Sequence, residues 1–89
     1  MSWQEKSVLI TGGTGSFGRK FIDKVRRDLK PKKIIVFSRD ELKQHEMRVA
    51  GLDGEEFRYF LGDVRDGDRL RRAMQGVDIV VHAAALKQV

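Results

Sequence analysis

The chain has 89 residues, no cysteine, and a formal net charge of +5 from 18 Lys and Arg against 13 Asp and Glu. This length allows one small domain at most, and neither a disulfide nor a thiolate metal site can stabilise it. The sequence contains no signal peptide and no apolar run near the roughly 18 residues of a membrane span, so we expect a cytoplasmic protein. The basic excess indicates an anionic partner, although most of these charges have the spacing of solvated helix surface.

Strand and helix patterns alternate in the first half of the chain. A buried strand is predicted at Ser7–Thr11, and apolar residues then recur at helical spacing over residues 17–29. Lys30 ends this helix, because a residue that precedes proline disfavours the α region. A second buried strand is predicted over residues 34–37 and a second helix over Glu41–Val49. Four side chains of the second helix are expected to face partly inward: Leu42, His45, Met47 and Val49.

The same alternation continues in the second half. A third strand is predicted at Phe57–Leu61, and Asp66 is the predicted N-cap of a third helix that ends near Gly76. The apolar face of that helix carries Leu70, Ala73 and Met74. A fourth strand is predicted over residues 77–81, followed by a loop. Short crossovers of this βαβαβαβ type join parallel strands. The predicted fold class is therefore α/β, a partial Rossmann fold with a parallel sheet in the order 3-2-1-4.

A glycine cluster lies between the first strand and the first helix. Its spacing is Gly-x-Gly-x-x-Gly, and in a strand–turn–helix setting this brings a pyrophosphate against bare backbone at the helix N-terminus. Gly15 lacks the Cβ that would strike the phosphates, and Gly18 lets the helix pack close to the strand. The candidate dinucleotide-binding residues of this cluster are Gly12, Gly13, Thr14, Gly15, Ser16, Phe17 and Gly18.

The end of the second strand predicts which dinucleotide binds. An acidic residue there favours NAD, whereas a basic residue accommodates the 2′-phosphate of NADP. Ser38 can donate a hydroxyl hydrogen bond to that phosphate, Arg39 can form a bidentate fork, and Lys43 adds a further positive charge. We therefore expect NADP, with NAD less favoured. The alternative makes Asp40 the helix N-cap and Arg39 a solvated loop charge.

Two further segments complete the candidate cofactor site. Asp63, after the third strand, can accept a hydrogen bond from the adenine amino group while the Val64 backbone contacts the ring. The alternative for Asp63 is an ordinary turn residue before a helix. Small side chains at Ala83 and Ala84, after the fourth strand, would let the nicotinamide half pass close to the backbone. Helix-forming alanine is the alternative there.

Other chemistries fit the sequence less well. The glycine cluster has P-loop spacing, but its lysine is misplaced and no Ser or Thr follows to hold Mg²⁺. His45 and His82 have no convergent carboxylates, so no metal site is predicted. Trp3 and Tyr59 are expected to be packing residues. A nucleic-acid recognition motif is also lacking, so we expect no nucleic-acid partner.

Four motifs resemble the extended short-chain dehydrogenase/reductase superfamily, and within it the UDP-N-acetylglucosamine 4,6-dehydratases and related polysaccharide-biosynthesis proteins. These motifs lie at residues 11–18 (TGGTGSFG), 38–44 (SRDELKQ), 62–66 (GDVRD) and 83–89 (AAALKQV). The first is shared by the whole superfamily, whereas the second and fourth are much narrower. In such enzymes NADP⁺ oxidises C4 of a UDP-sugar, water is lost across C5–C6, and the hydride returns to C6.

The resemblance also implies roles for individual residues. The 2′-phosphate would be held by Ser38, Arg39 and Lys43, and the adenine would be held by Asp63 and Val64. The nicotinamide ribose and the substrate would lie near Ala83, Ala84 and Lys87. The chain departs from the family pattern because it has no Tyr-x-x-x-Lys acid/base pair, and no catalytic residue is assigned.

We therefore expect residues 1–89 to be the N-terminal half of an NAD(P)-binding Rossmann domain, without catalytic or substrate regions and inactive alone. The alternative is a free-standing, non-catalytic dinucleotide-binding or redox-sensing module. The fourth strand is apolar on both faces, and as a sheet edge it would favour self-association.

Overall fold

The computed structural model describes residues 3–12 and 14–83. The strands are β1 (Ser7–Thr11), β2 (Lys33–Ser38), β3 (Phe57–Leu61) and β4 (Ile79–His82). The α-helices are α1 (Ser16–Lys24), α2 (Glu41–Val49) and α3 (Gly67–Ala73). A 3₁₀ turn at Trp3–Glu5 precedes β1, and α1 continues as a π-helical segment at Val25–Leu29.

The four strands form one parallel sheet in the order β3-β2-β1-β4. This confirms the predicted α/β fold and its strand order. Thr11, the last residue of β1, lies opposite Phe37 of β2 and His82 of β4. Ser38 at the end of β2 lies opposite Leu61 at the end of β3. All four strands therefore end along the same edge of the sheet.

Apolar side chains cover both faces of the two central strands. Along β1, Val8 and Ile10 join a cluster with Ile22 of α1 and Met47 of α2. Leu9 joins the opposite cluster with Ala73 of α3. Burying a side chain of this size contributes roughly 1.5–3 kcal/mol, so the central strands are the most stable part of the sheet. Two predicted packing residues, Trp3 and Tyr59, pack against the first cluster, as expected.

Local signals determine where the helices begin and end. The Asp40 carboxylate caps α2 by accepting from the Lys43 amide at 3.1 Å. Asp66 caps α3 through the Arg69 amide at 3.2 Å, which confirms its predicted role. Lys30 ends the segment after α1 in a left-handed conformation (φ 47°), immediately before Pro31. These ends position the loops that follow β2 and β3.

Of the four residues predicted to face inward from α2, Met47 is buried as expected, and the other three are not. Leu42 and Val49 are 65% and 74% exposed, and His45 is also exposed. The buried residues of α2 are Gln44 and Met47, which lie three residues apart on one face. Leu42 lies two residues before Gln44, and Val49 lies two residues after Met47. Two residues correspond to about 200° of rotation around an α-helix, so Leu42 and Val49 lie on the side opposite the buried pair. Apolar character alone therefore does not identify the buried side of this helix.

β4 and α3 differ from prediction in detail. β4 begins at Ile79 rather than at residue 77. Just before it, the Asp78 amide donates to the Ser7 carbonyl at 2.8 Å, and the Asp78 carboxylate accepts from the Ser7 amide at 2.9 Å. The side chain of Asp78 thus takes the place of a ladder hydrogen bond. His82, predicted in a loop, is the last residue of β4. Met74 follows α3 and is 39% exposed, so it lies outside the apolar face. In the described ranges 3–12 and 14–83, no helix has the length and apolarity that crossing a membrane requires.

Candidate functional site

A groove of about 470 Å³ lies at the carboxyl edge of the sheet. Open α/β sheets bind their ligands at this edge, because parallel strands deliver their following loops to one place. Segments remote in sequence meet here, and the lining residues are Gly12, Thr14, Phe37, Ser38, Arg39, Asp40, Gly62, Asp63, Val64, Arg65 and His82. Six residues predicted for the cofactor site are among them: Gly12, Thr14, Ser38, Arg39, Asp63 and Val64.

The turn after β1 supplies backbone to the groove. Gly12 has a φ of 70°, in the left-handed region that favours glycine, and its amide donates to the Phe37 carbonyl at 3.3 Å. Gly15 is the N-cap of α1 with φ −73° and ψ 169°, extended backbone that any residue adopts. A Cβ added at Gly15 would meet no atom within 4 Å. Neither the fold nor the packing requires glycine there, whereas a pyrophosphate at the helix N-terminus would use that space.

The remaining residues of the glycine cluster lie around the start of α1. Thr14 is buried beside the turn, and Gly18 is buried within α1. Ser16 opens the helix, and the half-exposed Phe17 ring stacks on Phe21 with centroids 6.4 Å apart. The N-cap is a glycine, so it has no side chain that accepts from the first-turn amides of α1. Those amides remain available to an anion.

The other five predicted residues are either outside the described part of the chain or away from the groove lining. Gly13, Ala84 and Lys87 lie outside the described residues. Ala83 is 1% exposed and packs in the cluster beneath α1 and α2. Lys43 is exposed on the first turn of α2, and its side chain does not line the groove.

The loop after β2 carries the groups predicted to select the dinucleotide. Ser38 is 9% exposed, and its hydroxyl oxygen accepts from Gln44 Nε2 at 2.9 Å. The Arg39 side chain is 72% exposed, with Nη1 3.5 Å from Asp63 Oδ2. One oxygen of the Asp40 carboxylate is engaged as the cap of α2. This loop therefore offers a hydroxyl and a guanidinium to the groove.

Asp63 provides an ionised acceptor at the end of β3. Hydrogen bonds from the Arg65 side chain, and then from its amide, lower the pKa of Asp63 to about 2, with smaller help from the charges of Arg65 and Arg39. Arg65 Nη2 lies 2.8 Å from Asp63 Oδ2, and this bond raises the pKa of Arg65 in turn. Arg65 makes four hydrogen bonds to the two carboxylate oxygens, about as many as their lone pairs, so a ligand amine that binds Asp63 would have to displace or share one of them.

Three site features were missed from the sequence. Gly62 is required by packing, because a Cβ there would lie 2.9 Å from the Phe37 ring. The His82 ring reaches the groove, where Nδ1 forms a hydrogen bond with Thr11 Oγ1. Gln44 lies behind Ser38 and is buried. His82 lies opposite Thr11 in the register of β1 and β4. An alignment of these two strands from the sequence would therefore have placed His82 at the groove.

This strand order, with a glycine turn after β1 and a groove at the carboxyl edge, is that of the Rossmann fold. Residues 8–89 match the family described as polysaccharide biosynthesis protein. The chain belongs to that family, which confirms the resemblance seen in its motifs.

Individual relatives agree with this assignment. The chain is 53% identical over 87 residues to UDP-N-acetylglucosamine 4,6-dehydratase (inverting) of Campylobacter jejuni, covering 98% of this chain and 26% of that protein. It is 49% identical over 90 residues to UDP-glucose 4-epimerase of Rickettsia bellii, covering 96% and 26%. The chain thus spans about a quarter of the length of these curated relatives.

Solved structures show the same fold. Pen from Bacillus thuringiensis matches with a TM-score of 0.82 and 40% identity, over 90% of this chain and 25% of that one. L-threonine dehydrogenase from Clostridium difficile matches with a TM-score of 0.64 and 25% identity, over 89% and 24%.

Proposed function

We propose that this chain is the NADP-binding portion of a nucleotide-sugar enzyme of polysaccharide or glycan biosynthesis, of the UDP-N-acetylglucosamine 4,6-dehydratase type. The observation that carries the proposal is the convergence of three loops on one groove. They bring the turn residues Gly12 and Thr14, which lead into the N-terminus of α1, a hydroxyl and guanidinium at Ser38 and Arg39, and a carboxylate at Asp63. Family membership and the two named relatives support the nucleotide-sugar assignment.

Each loop has a separate binding task in this proposal. The first turn of α1 holds the pyrophosphate through amide N–H groups and the positive end of the helix dipole. Ser38 and Arg39 hold the 2′-phosphate, and Asp63 accepts from the adenine amino group beside Val64. NADP⁺, when bound, supplies the hydride acceptor for oxidation of the sugar. The chain's own residues bind and orient that cofactor.

The preference for NADP over NAD rests on charge at the end of β2. Asp40, the acid that would favour NAD, already serves as the cap of α2 through the Lys43 amide. Arg39 is exposed at the mouth of the groove, where its 3.5 Å ion pair with Asp63 is weak enough to give way to charge-assisted bonds with a phosphate. The Lys43 side chain, one turn into α2, adds positive charge nearby without lining the groove.

Calorimetric titration of the chain with NADP⁺ and with NAD⁺ tests the proposal. One charge-assisted contact to the 2′-phosphate is worth about 1.5–3 kcal/mol, so we expect NADP⁺ to bind at least about tenfold more tightly. Equal affinities would overturn the NADP assignment while keeping a dinucleotide site. Binding of neither cofactor would overturn the proposal as a whole.

A further inference from the structure

Gln44 is a buried polar residue behind the cofactor groove. It is 3% exposed on the inward face of α2, and it does not line the groove. Its Nε2 donates to Ser38 Oγ at 2.9 Å and to the Phe60 carbonyl at 3.1 Å. The side chain therefore joins the ends of β2 and β3 directly beneath the loops that form the groove.

The hydrogen-bond network determines the orientation of this amide. A main-chain carbonyl oxygen only accepts, so the Gln44 group that faces Phe60 is the NH₂. The same NH₂ faces the Ser38 hydroxyl, whose oxygen must therefore act as the acceptor. The hydroxyl proton of Ser38 then points away from Gln44. Ser38 lines the groove beside Arg39, so the side of the hydroxyl away from Gln44 is open to a ligand there.

We propose that Gln44 is a positioning residue that makes Ser38 a hydrogen-bond donor toward the cofactor's 2′-phosphate. The inference rests on the proposed NADP site and assigns part of its specificity to a residue that touches no cofactor atom. A phosphate oxygen is an anionic acceptor, so a donor held toward it forms a stronger bond than a donor held toward the neutral 2′-hydroxyl of NAD. The orientation of the buried Gln44 amide thereby contributes to the preference for NADP over NAD.

The test replaces Gln44 with methionine, which has a similar shape and no N–H donor. In Gln44→Met the Ser38 hydroxyl oxygen loses the donor that fixes it as an acceptor, so its proton is no longer held toward the groove. We expect NADP⁺ affinity to fall about tenfold, as for loss of a charge-assisted bond, with little change for NAD⁺. Calorimetry with both cofactors measures this as a change in the affinity ratio.

Tyr59→Phe is the matched control. Tyr59 hydroxyl donates to the Leu52 carbonyl at 2.7 Å, so this variant also removes one bond between a side chain and the main chain near α2 and β3. It lies away from the groove and is expected to lower the melting temperature without altering the NADP⁺/NAD⁺ ratio. A merely structural role for Gln44 predicts the same behaviour in both variants.

Coupling to Ser38 separates the remaining outcomes. Ser38→Ala alone is expected to reduce NADP⁺ affinity about as much as Gln44→Met, and the double variant no further. A parent-like NADP⁺/NAD⁺ ratio in folded Gln44→Met overturns the inference and leaves the proposed function intact. If Gln44→Met does not fold, unchanged NADP⁺ affinity in Ser38→Ala overturns it. A parent chain that binds no NADP⁺ overturns both.

Discussion

Arg39 and Asp63 form an ion pair across the mouth of the groove, with Nη1 and Oδ2 3.5 Å apart. The two residues follow β2 and β3, so the pair links the loops proposed to hold the 2′-phosphate and the adenine. Asp63 has a closer partner in Arg65, at 2.8 Å, and exposed ion pairs contribute little to stability. The Arg39 guanidinium is therefore held near the groove yet available to a stronger acceptor such as a phosphate.

Arg39→Ala should remove most of the preference for NADP⁺. The variant loses the bidentate donor, so we expect NADP⁺ affinity to fall roughly 10- to 100-fold and NAD⁺ affinity to change far less. Arg48→Ala is the matched control. Arg48 lies over the Tyr59 ring, so this variant also removes one positive charge, but at a site away from the groove. Calorimetry of both variants decides the matter, and a preserved preference in Arg39→Ala would remove Arg39 from the site.

Gly15→Val should abolish dinucleotide binding while the fold persists. Gly15 has an ordinary extended conformation, and a Cβ there lies more than 4 Å from the other described residues beyond its chain neighbours, so the fold should accept valine. Valine is a poorer N-cap than glycine, and we expect a stability loss of up to about 1 kcal/mol. Circular dichroism and thermal melting check the fold, and calorimetry checks binding. Parent-like affinity would mean that the pyrophosphate binds elsewhere.

Gly76→Ala provides the opposite case. Gly76 has a φ of 76°, which a residue with a Cβ rarely adopts. We expect this variant to lose roughly 1 kcal/mol or more of stability and to keep its cofactor affinity in the folded form. The two variants together would show that Gly15 is needed for ligand binding, whereas Gly76 is needed for the backbone conformation of the fold.

Local signals were sufficient to predict most of the fold. β1, α2 and β3 have the predicted bounds of Ser7–Thr11, Glu41–Val49 and Phe57–Leu61, because each carries its own apolar run or cap. Strand order followed from short parallel crossovers, which allow few arrangements. The start of β4 was not predictable in this way, since it depends on the pairing of Asp78 with Ser7, 71 positions away.

The site was less accessible to sequence reasoning than the fold. Loops that follow parallel strands were correctly expected to converge, and Ser38, Arg39 and Asp63 do meet in one groove. The burial of Gln44 was not expected, because it depends on the Phe60 carbonyl of a neighbouring strand. A polar residue on the inward face of a helix gains such a place only when tertiary partners satisfy its donors.

Tyr59 should titrate far above the usual range. Burial raises its pKa to about 12, although the nearby Arg48 charge opposes the shift. Because the folded chain favours the neutral phenol, this stabilisation is complete below pH 10 and is lost as the pH rises toward about 12. The chain has one tyrosine, so tyrosinate absorbance reports this group alone. An ordinary midpoint in the folded chain would show that Tyr59 is solvated.

Asp63 should contribute stability that disappears in acid. Its folded pKa of about 2 lies below the ordinary value of 3.8, so the contribution is present above that value and is lost as the pH falls toward 2. Asp63→Asn removes the titrating group. The difference in unfolding free energy between parent and variant should therefore be larger at pH 5 than near pH 2, as measured by urea denaturation. A difference independent of pH would contradict the Arg65 pairing as its source.

The outer edge of β4 is where we expect two copies of the chain to meet. Within the part of the chain that the structure describes, β4 pairs with β1 alone, and Val80 beside the open edge is 50% exposed. An unpaired edge with an apolar neighbour favours strand addition, and a two-fold axis would place two β4 strands antiparallel in one continuous sheet.

Val80→Lys tests this arrangement, because it would bring two positive charges together near the axis and replace buried apolar surface. Sedimentation equilibrium should show a dimer for the parent and a monomer for this variant, with NADP⁺ binding retained because Val80 does not line the groove. Leu42→Lys makes the same change at a residue that is 65% exposed on α2, and it should leave the dimer intact. A parent chain that sediments as a monomer would refute pairing through β4, and dissociation by both variants would place the contact elsewhere.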